Sequence, residues 1–567
     1  MHVAQPERDR HRIEGVVGEG QRQRIPGNER QPRVAISTYR EHPEGEVTRD
    51  NEGSGCGNRL AGGSGASREI KDSISGERSH GGGHCLSPSP RLTQSKNVVR
   101  PVVALSHLIE HRRDFTGLLV QACSRHGRML PEDNRGVWPY PESVSRHPHL
   151  DSPPLLVATT RPLEAPEDLL SQLPSHDNVC WVRRGEGLVG WGSAARLQVR
   201  GVERFARTQR WWAELCDTMA IDDSVSLPGT GPLAFASFSF DPHDPSEVVV
   251  PSTLIGQRGD QAWVTTIHSP GVEPEVMQSA RIDSTAGRSH VSVNWREGSL
   301  SAPEWEKSVG RAVERINAGE LDKVVLARDV VAHIDGELDV RSILDHLARD
   351  YPTCWTFNVA NLVGATPELL VRRTGDLVTS RVLAGTVRRQ GDTEEDHGLA
   401  QALLASDKDL AEHSYAVRSV AKALATHCTD MDVPENPTVL ELANVQHLAT
   451  DVTGRLADDA SLLSLAASLH PTAAVCGTPT ERALTVISEL EGMSRDRYAG
   501  PVGWFDARGD GEFGIALRCG LVDSQAHTIR AFAGCGIVAG SDPEHELAES
   551  RAKFIPMRSA LEARSSN

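Results

Sequence analysis

AGCGIVAGSDPEHELAESRAK, residues 533–553, leaves an apolar strand through Gly534-Cys535-Gly536 and passes directly into a helix. Ser541 or Asp542 supplies the N-cap and Pro543 occupies the first turn, where its missing N–H costs nothing. The helical repeat then puts Glu546, Glu549 and Lys553 on one face, at i, i+3 and i+7. Two carboxylates so placed form half of a hard-cation site, because Mg2+ takes oxygen ligands and keeps several waters. The same face also reads as a solvated acidic surface with a Glu549–Lys553 pair worth about 0.3 kcal/mol. The glycines permit close backbone approach to an anion, or simply a tight turn. SDKDLAEHSYAVRSVAKAL (406–424) repeats the arrangement, with Asp409 and Glu412 at i, i+3. Four carboxylates from two helices suffice to hold one Mg2+.

Working outward, KVVLARDVV (323–331) is an apolar strand led by Lys323, which either snorkels at the strand end or is a desolvated base. ATPELLVRR (365–373) places Glu368 immediately before a strand, where an exposed turn glutamate is the ordinary reading. Further helices are expected at Glu203–Met219, Ala302–Ala318, Ser342–Asp350, Thr393–Cys428, Leu462–Leu469 and Thr480–Glu491. Strands are expected at Leu233–Phe240, Gln261–Ile267, Lys323–His333, Cys354–Val359, Leu369–Arg373, Leu377–Leu383, Gly500–Asp506, Gly511–Cys519 and Thr528–Gly534. Two apolar runs about a Gly-bearing turn in VCWVRRGEGLVGWG (179–192) read as a hairpin. Strands and helices mix without a strict β-α-β rhythm, which predicts a large α/β (α+β) domain.

Composition narrows the function. Of 567 residues, 38% are hydrophobic, and no run of about 18 apolar residues marks a membrane span. The ten cysteines form no C-x-x-C pair, which argues against a thiolate zinc site or a disulfide framework. A net charge of −17 excludes a general nucleic-acid binder, which needs a basic footprint. Residues 1–150 hold 22 Lys+Arg against 18 Asp+Glu, so the remaining chain carries −21. Residues 1–100, with GSGCGNRLAGGSGAS and SHGGGHCLSPSP, read as a disordered low-complexity extension. Residues 101–152 read as a linker containing one helix, and 153–567 as the catalytic domain. The polar N-terminus has no apolar core for an export signal, so a cytoplasmic location is expected.

Nine ordered blocks carry a resemblance to a known family. They are LDKVVLAR (321–328), ATPELLVRR (365–373), SRVLAGTVRR (380–389), SDKDLAEHSYAVR (406–418), VQHLATDVTGRL (445–456), LHPTAAVCGTPT (469–480), RYAGPVGWFD (497–506), IALRCGLV (515–522) and the opening stretch. Together they resemble the chorismate-utilising enzymes, and most closely their isochorismate synthase branch. The resemblance implies a two-lobed sandwich of mainly antiparallel sheets with helices outside and the site between the sheets. It implies Lys323 as the base that takes a proton from water and Glu368 as the acid that protonates the departing C4 hydroxyl of chorismate. Glu412 and Glu549 would be direct Mg2+ ligands, with Asp409 and Glu546 holding metal-bound waters; Asp409 is shorter than the Glu of some relatives. Tyr498, Arg518 and the Gly534 backbone would grip the enolpyruvyl carboxylate, with Lys553 a further partner. Gly385, Thr386, His447 and Ala474 would line the ring pocket.

Within the family, relatives that use ammonia lack a lysine at the position of Lys323, so the lysine favours water as nucleophile. Salicylate formers carry Thr where this chain has Ala474, which favours stopping at isochorismate. A salicylate synthase and a catalytically silent chorismate-binding subunit are the alternatives. The expected product would serve menaquinone or catecholate siderophore synthesis, by a monomer without a glutaminase subunit.

Overall fold

The run of β-branched residues that follows Lys323 has apolar side chains on both faces, the pattern of a strand covered on both sides. In the computed structural model, which describes residues 154–272, 292–336 and 338–563, this run lies one strand in from the edge of a large sheet. The expected disordered extension and linker lie outside the described residues. The elements that build the site are strands β1 (Asn178–Arg183), β2 (Glu186–Trp191), β3 (Lys323–Asp335), β4 (Trp355–Val359), β5 (Leu369–Thr374), β6 (Leu377–Arg388), β7 (Val445–Leu456), β8 (Pro501–Asp506), β9 (Gly511–Ile515) and β10 (Thr528–Ile537). Three helices complete them: α1 (Thr393–Leu404), α2 (Asp407–Leu424) and α3 (Pro543–Glu562).

The first sheet has 13 strands and includes β3, β10, β4, β1 and β2; the second has 10 and includes β7, β6, β5, β9 and β8, in those orders. Among the described residues every pairing is antiparallel except Val157–Leu163 with Ala220–Asp223. The expected hairpin is present, with Arg183 opposite Glu186 across an Arg184-Gly185 turn. One hydrophobic core joins the facing sides of both sheets, through Trp181, Leu326, Phe357, Trp504 and Phe513. A second lies on the other side of the first sheet, where α3 and Val340–Asp350 cover Val330, Ala332 and Ile529. No helix among the described residues is long and apolar enough to cross a membrane.

One expected element divides. The predicted helix Thr393–Cys428 is two helices, because the chain breaks at Ala405-Ser406 and restarts with Ser406 as N-cap. The Ser406 hydroxyl accepts from the Asp409 N–H and donates to the Asp409 carboxylate. Ser406→Ala is expected to cost about 1 kcal/mol in urea unfolding and to free the Asp409 side chain. The polar-apolar mixture VQHLATDVTGRL conceals a strand, β7, which the sequence reading omitted; pairing on both edges offsets its polar content.

Candidate active site

The catalytic geometry begins where the chain crosses between the sheets. Leu362–Thr366 belongs to the first sheet and β5 to the second, so Pro367-Glu368 forms the crossover. The chain returns through Ala516-Leu517-Arg518, between β9 and Cys519–Asp523. The crossovers are bonded together: the Ile515 N–H donates to the Glu368 carbonyl at 3.1 Å and the Ala365 N–H to the Arg518 carbonyl at 3.3 Å. Thr366 donates its hydroxyl to the Ile515 carbonyl at 2.6 Å. Glu368 and Arg518 are therefore held side by side in the layer between the sheets. Arg518 adopts φ +50°, a left-handed conformation that costs a non-glycine residue about 1–2 kcal/mol. Its bonded crossover holds it there.

Glu368 is 4% exposed. Burial pushes its carboxyl up to about 8, against the opposing pull of the Leu383 N–H and of the charges on Lys323, Arg518 and Lys553. A carboxyl in this range is protonated at neutral pH and can donate a proton.

A bulge shapes the neighbouring wall. β6 pairs with β7 in register up to Ala384–Leu448 and again from Thr386–His447, with Gly385 as the extra residue at φ +76°. A side chain there would press on the Asp409 Cβ at 3.1 Å. The bulge turns the Gly385 carbonyl toward His447 Nδ1, at 3.2 Å, while Thr386 Oγ1 lies 3.1 Å from the same nitrogen. Arg518 Nη2 donates to His447 Nε2 at 3.1 Å, so Nδ1 carries the proton. Burial, then Arg518 and Lys553, hold His447 well below its ordinary range. The ring stays neutral and leaves the Arg518 charge uncompensated.

These groups line one cavity, with Ala474, Tyr498, Gly534, Glu412 and Lys553. Tyr498 stacks on Phe532 at 5.1 Å, and burial raises its phenol. Lys553 donates to the Gly534 carbonyl at 2.9 Å and pairs with Glu549 at 2.5 Å. Burial opposes its charge, but Glu549 overrides this and holds the ammonium above its usual range.

Lys323 begins β3 and is fully buried, so it does not snorkel. It faces Glu412 of α2 at 3.2 Å and makes no hydrogen bond in the described structure. Gly536 makes room for this pair: a Cβ there would lie 2.2 Å from Glu412 Oε1 and 3.1 Å from Lys323 Cε. The small residues of the opening stretch thus admit a carboxylate from another helix. Gly536→Ala is expected to displace Glu412 with little loss of stability, since the atom met ends a flexible side chain. Were Glu412 to ligate a divalent cation, calorimetric titration with Mg2+ should show affinity reduced about tenfold or more in this variant, the scale seen when a ligand's support is lost.

The remaining carboxylates gather beside this pair. Ligand atoms of Glu546, Glu549 and Cys535 lie within 4.8 Å of one another, a group that does not include Glu412 or Asp409. Lys408 pairs with Glu546 at 3.2 Å. Burial and then Glu549 raise Glu546, and burial raises Asp409 with contributions from Glu412 and Glu549. Clustered acids, three of them countered by lysines, form a donor set that suits a hard divalent cation.

Comparison with known proteins places this geometry. Residues 151–562 match the family described as chorismate binding enzyme. The chain belongs to that family. Isochorismate synthase MenF of Bacillus subtilis (strain 168) is 32% identical over 403 residues, covering 66% of this chain and 85% of its own. The salicylate biosynthesis isochorismate synthase of Pseudomonas aeruginosa is 34% identical over 455 residues, covering 75% and 94%. The solved structure of MenF, the menaquinone-specific isochorismate synthase of Escherichia coli, superposes with a TM-score of 0.61 at 26% identity, over 72% of this chain and 95% of that one.

In this chorismate-binding enzyme, ten of the fourteen candidate residues line the cavity: Glu368, Gly385, Thr386, Glu412, His447, Ala474, Tyr498, Arg518, Gly534 and Lys553. Lys323 and Glu549 reach it through their partners Glu412 and Lys553, while Asp409 and Glu546 stand outside its lining. Sequence reasoning missed Gly536 as the cradle of Glu412, and also Arg495. Arg495 lines the cavity, pairs with buried Glu491, and donates to the Val475 and Val325 carbonyls at 2.8 Å. An Arg four residues after a Glu on an otherwise polar stretch gave no sign of burial.

Proposed function

We propose that the protein is an isochorismate synthase, adding water at C2 of chorismate with loss of the C4 hydroxyl. The observation that carries the reading is the buried carboxyl of Glu368, 4% exposed, in a cavity it shares with Arg518 and Lys553. Chorismate is a dianion, and the domain is strongly acidic, so local positive charge must offset its carboxylates. Arg518 supplies a planar fork matched to a carboxylate, aided by Tyr498 and the Gly534 backbone, while Lys553 adds a fixed charge.

Glu368 donates its proton to the departing C4 oxygen. Lys323, held at the end of β3, takes a proton from the attacking water. Each of these is worth about 10²–10⁴-fold. Glu412 and Glu549 would ligate Mg2+ directly, with Asp409 and Glu546 holding its waters. When bound, the ion supplies positive charge for the ring carboxylate. Neutral His447 keeps Arg518 aimed, and Thr386 and Ala474 shape the ring pocket. With water as the nucleophile no glutaminase subunit is required, and a cytoplasmic monomer fits the reading. The product would enter menaquinone or catecholate siderophore synthesis; a menaquinone-specific enzyme is among the solved relatives.

Incubation with chorismate, with and without Mg2+, and chromatography of the products tests this. Isochorismate formed only with the metal and without pyruvate is expected. Pyruvate with salicylate would replace the reading by a salicylate synthase, and no turnover under any condition by a binding role.

A further inference from the structure

β3 is covered unevenly along its two edges. On one it pairs with β10 without a break, from Val324 opposite Ile537 to His333 opposite Thr528. On the other, Lys323 and Val324 pair with Thr478 and Gly477, and pairing resumes only at Val330, opposite Glu297. Among the described residues no strand covers the stretch between. Side chains close that gap. Arg495 Nη2 donates to the Val325 carbonyl at 2.8 Å, and the Ala327 N–H donates to Glu491 Oε1 at 2.7 Å. The Trp305 indole N–H donates to the Ala327 carbonyl at 3.0 Å. A buried ion pair thus takes the place of a missing strand, two residues after Lys323.

Arg495 ties this edge to a second wall of the active site. Its Nη1 donates to the Val475 carbonyl at 2.8 Å, next to Ala474, and its own carbonyl accepts from the Tyr498 N–H at 2.9 Å. Nε donates to Glu491 Oε2 at 2.9 Å, Nη2 also meets Glu491, and the guanidinium carbon lies 4.2 Å from the centre of the Phe240 ring. Four of the five N–H donors are thereby engaged, which leaves no fork for a substrate carboxylate. Val325, Val475 and Arg495 all line the cavity. A buried ion pair gains little net stability over apolar packing, so what this one contributes is arrangement. We infer that the Glu491–Arg495 pair is a positioning device: by holding Val325 against Val475 it fixes the strand end that aims Lys323 at the attacking water. The inference rests on the proposed role of Lys323.

A double-mutant cycle with the full chain tests it, with kcat and chorismate KM measured from isochorismate formation. Arg495→Lys keeps a charge beside Glu491 but replaces the planar fork by a single ammonium, which cannot span both carbonyls. Alone it should lower kcat about 100-fold, the scale of a 1 Å misplacement, with KM and calorimetric Mg2+ affinity within about threefold. In the Lys323→Met background the same substitution should lower kcat by less than about threefold, because the group it positions is already gone. Glu491→Gln, which keeps an acceptor for the Ala327 N–H, should lose less kcat and show the same non-additivity. Wild-type kcat in Arg495→Lys, a loss carried by KM, losses that multiply in the double variants, or unfolding of both single variants in thermal melts would each overturn the proposal. Failure of the functional reading looks different: no isochorismate from the wild type, or Lys323→Met at the wild-type rate, removes the base itself and this inference with it.

Discussion

Glu368→Gln is expected to lower turnover by about 10²–10⁴-fold while making the protein more stable at neutral pH. The two effects share one cause. Folding buries Glu368 and raises its carboxyl from 4.5 to about 8. Between these values the unfolded chain ionises the group and the folded chain keeps it protonated. The cost of folding is thus absent below pH 4.5, grows as pH rises, and levels off above about 8. At pH 7 it reaches about 3 kcal/mol, and glutamine, never ionised, removes it. Higher thermal stability with lost turnover separates a missing proton from a damaged fold; lower stability at pH 7 would contradict the burial argument. In the wild type, kcat/KM should fall as pH rises through about 8, as Glu368 loses its proton. The corresponding limb of kcat should lie higher, because the bound dianion disfavours a further negative charge.

Lys323→Met should also cost about 10²–10⁴-fold in turnover, with the opposite consequence for the metal. Lys323 is the amine that Glu412 faces at 3.2 Å, and it serves as base only in its unprotonated form. Removing it leaves Glu412 seeking a positive partner, so Mg2+ affinity measured by calorimetry should hold or rise while activity falls. A variant that lost Mg2+ binding in proportion to turnover would make Lys323 a support for the metal site rather than a base.

Part of this site was legible in the sequence. The α3 start announced itself: Asp542 accepts from the His545 N–H at 3.0 Å, and Pro543 opens the helix. Local spacing likewise placed Glu549 and Lys553 in contact, since their pairing depends only on the helical repeat. The Lys323–Glu412 pair was not legible as a contact. It requires the register of β3 on β10, which sets Val325 opposite Gly536, and the docking of α2 against the second sheet. The exposed or catalytic readings of Glu368 diverge for the same reason, because burial of a turn residue is set by which sheets its flanking strands join.

In the proposed mechanism Lys323 and Glu368 exchange one hydroxyl for another by way of water. Turnover of chorismate in H2 18O, followed by mass spectrometry of the product, tests it most directly. Isochorismate should carry a single 18O in its C2 hydroxyl, formed by the wild type and about 10²–10⁴-fold more slowly by both variants. Isochorismate without 18O would mean that the hydroxyl migrates within the substrate, and the paired acid and base described here would have no role.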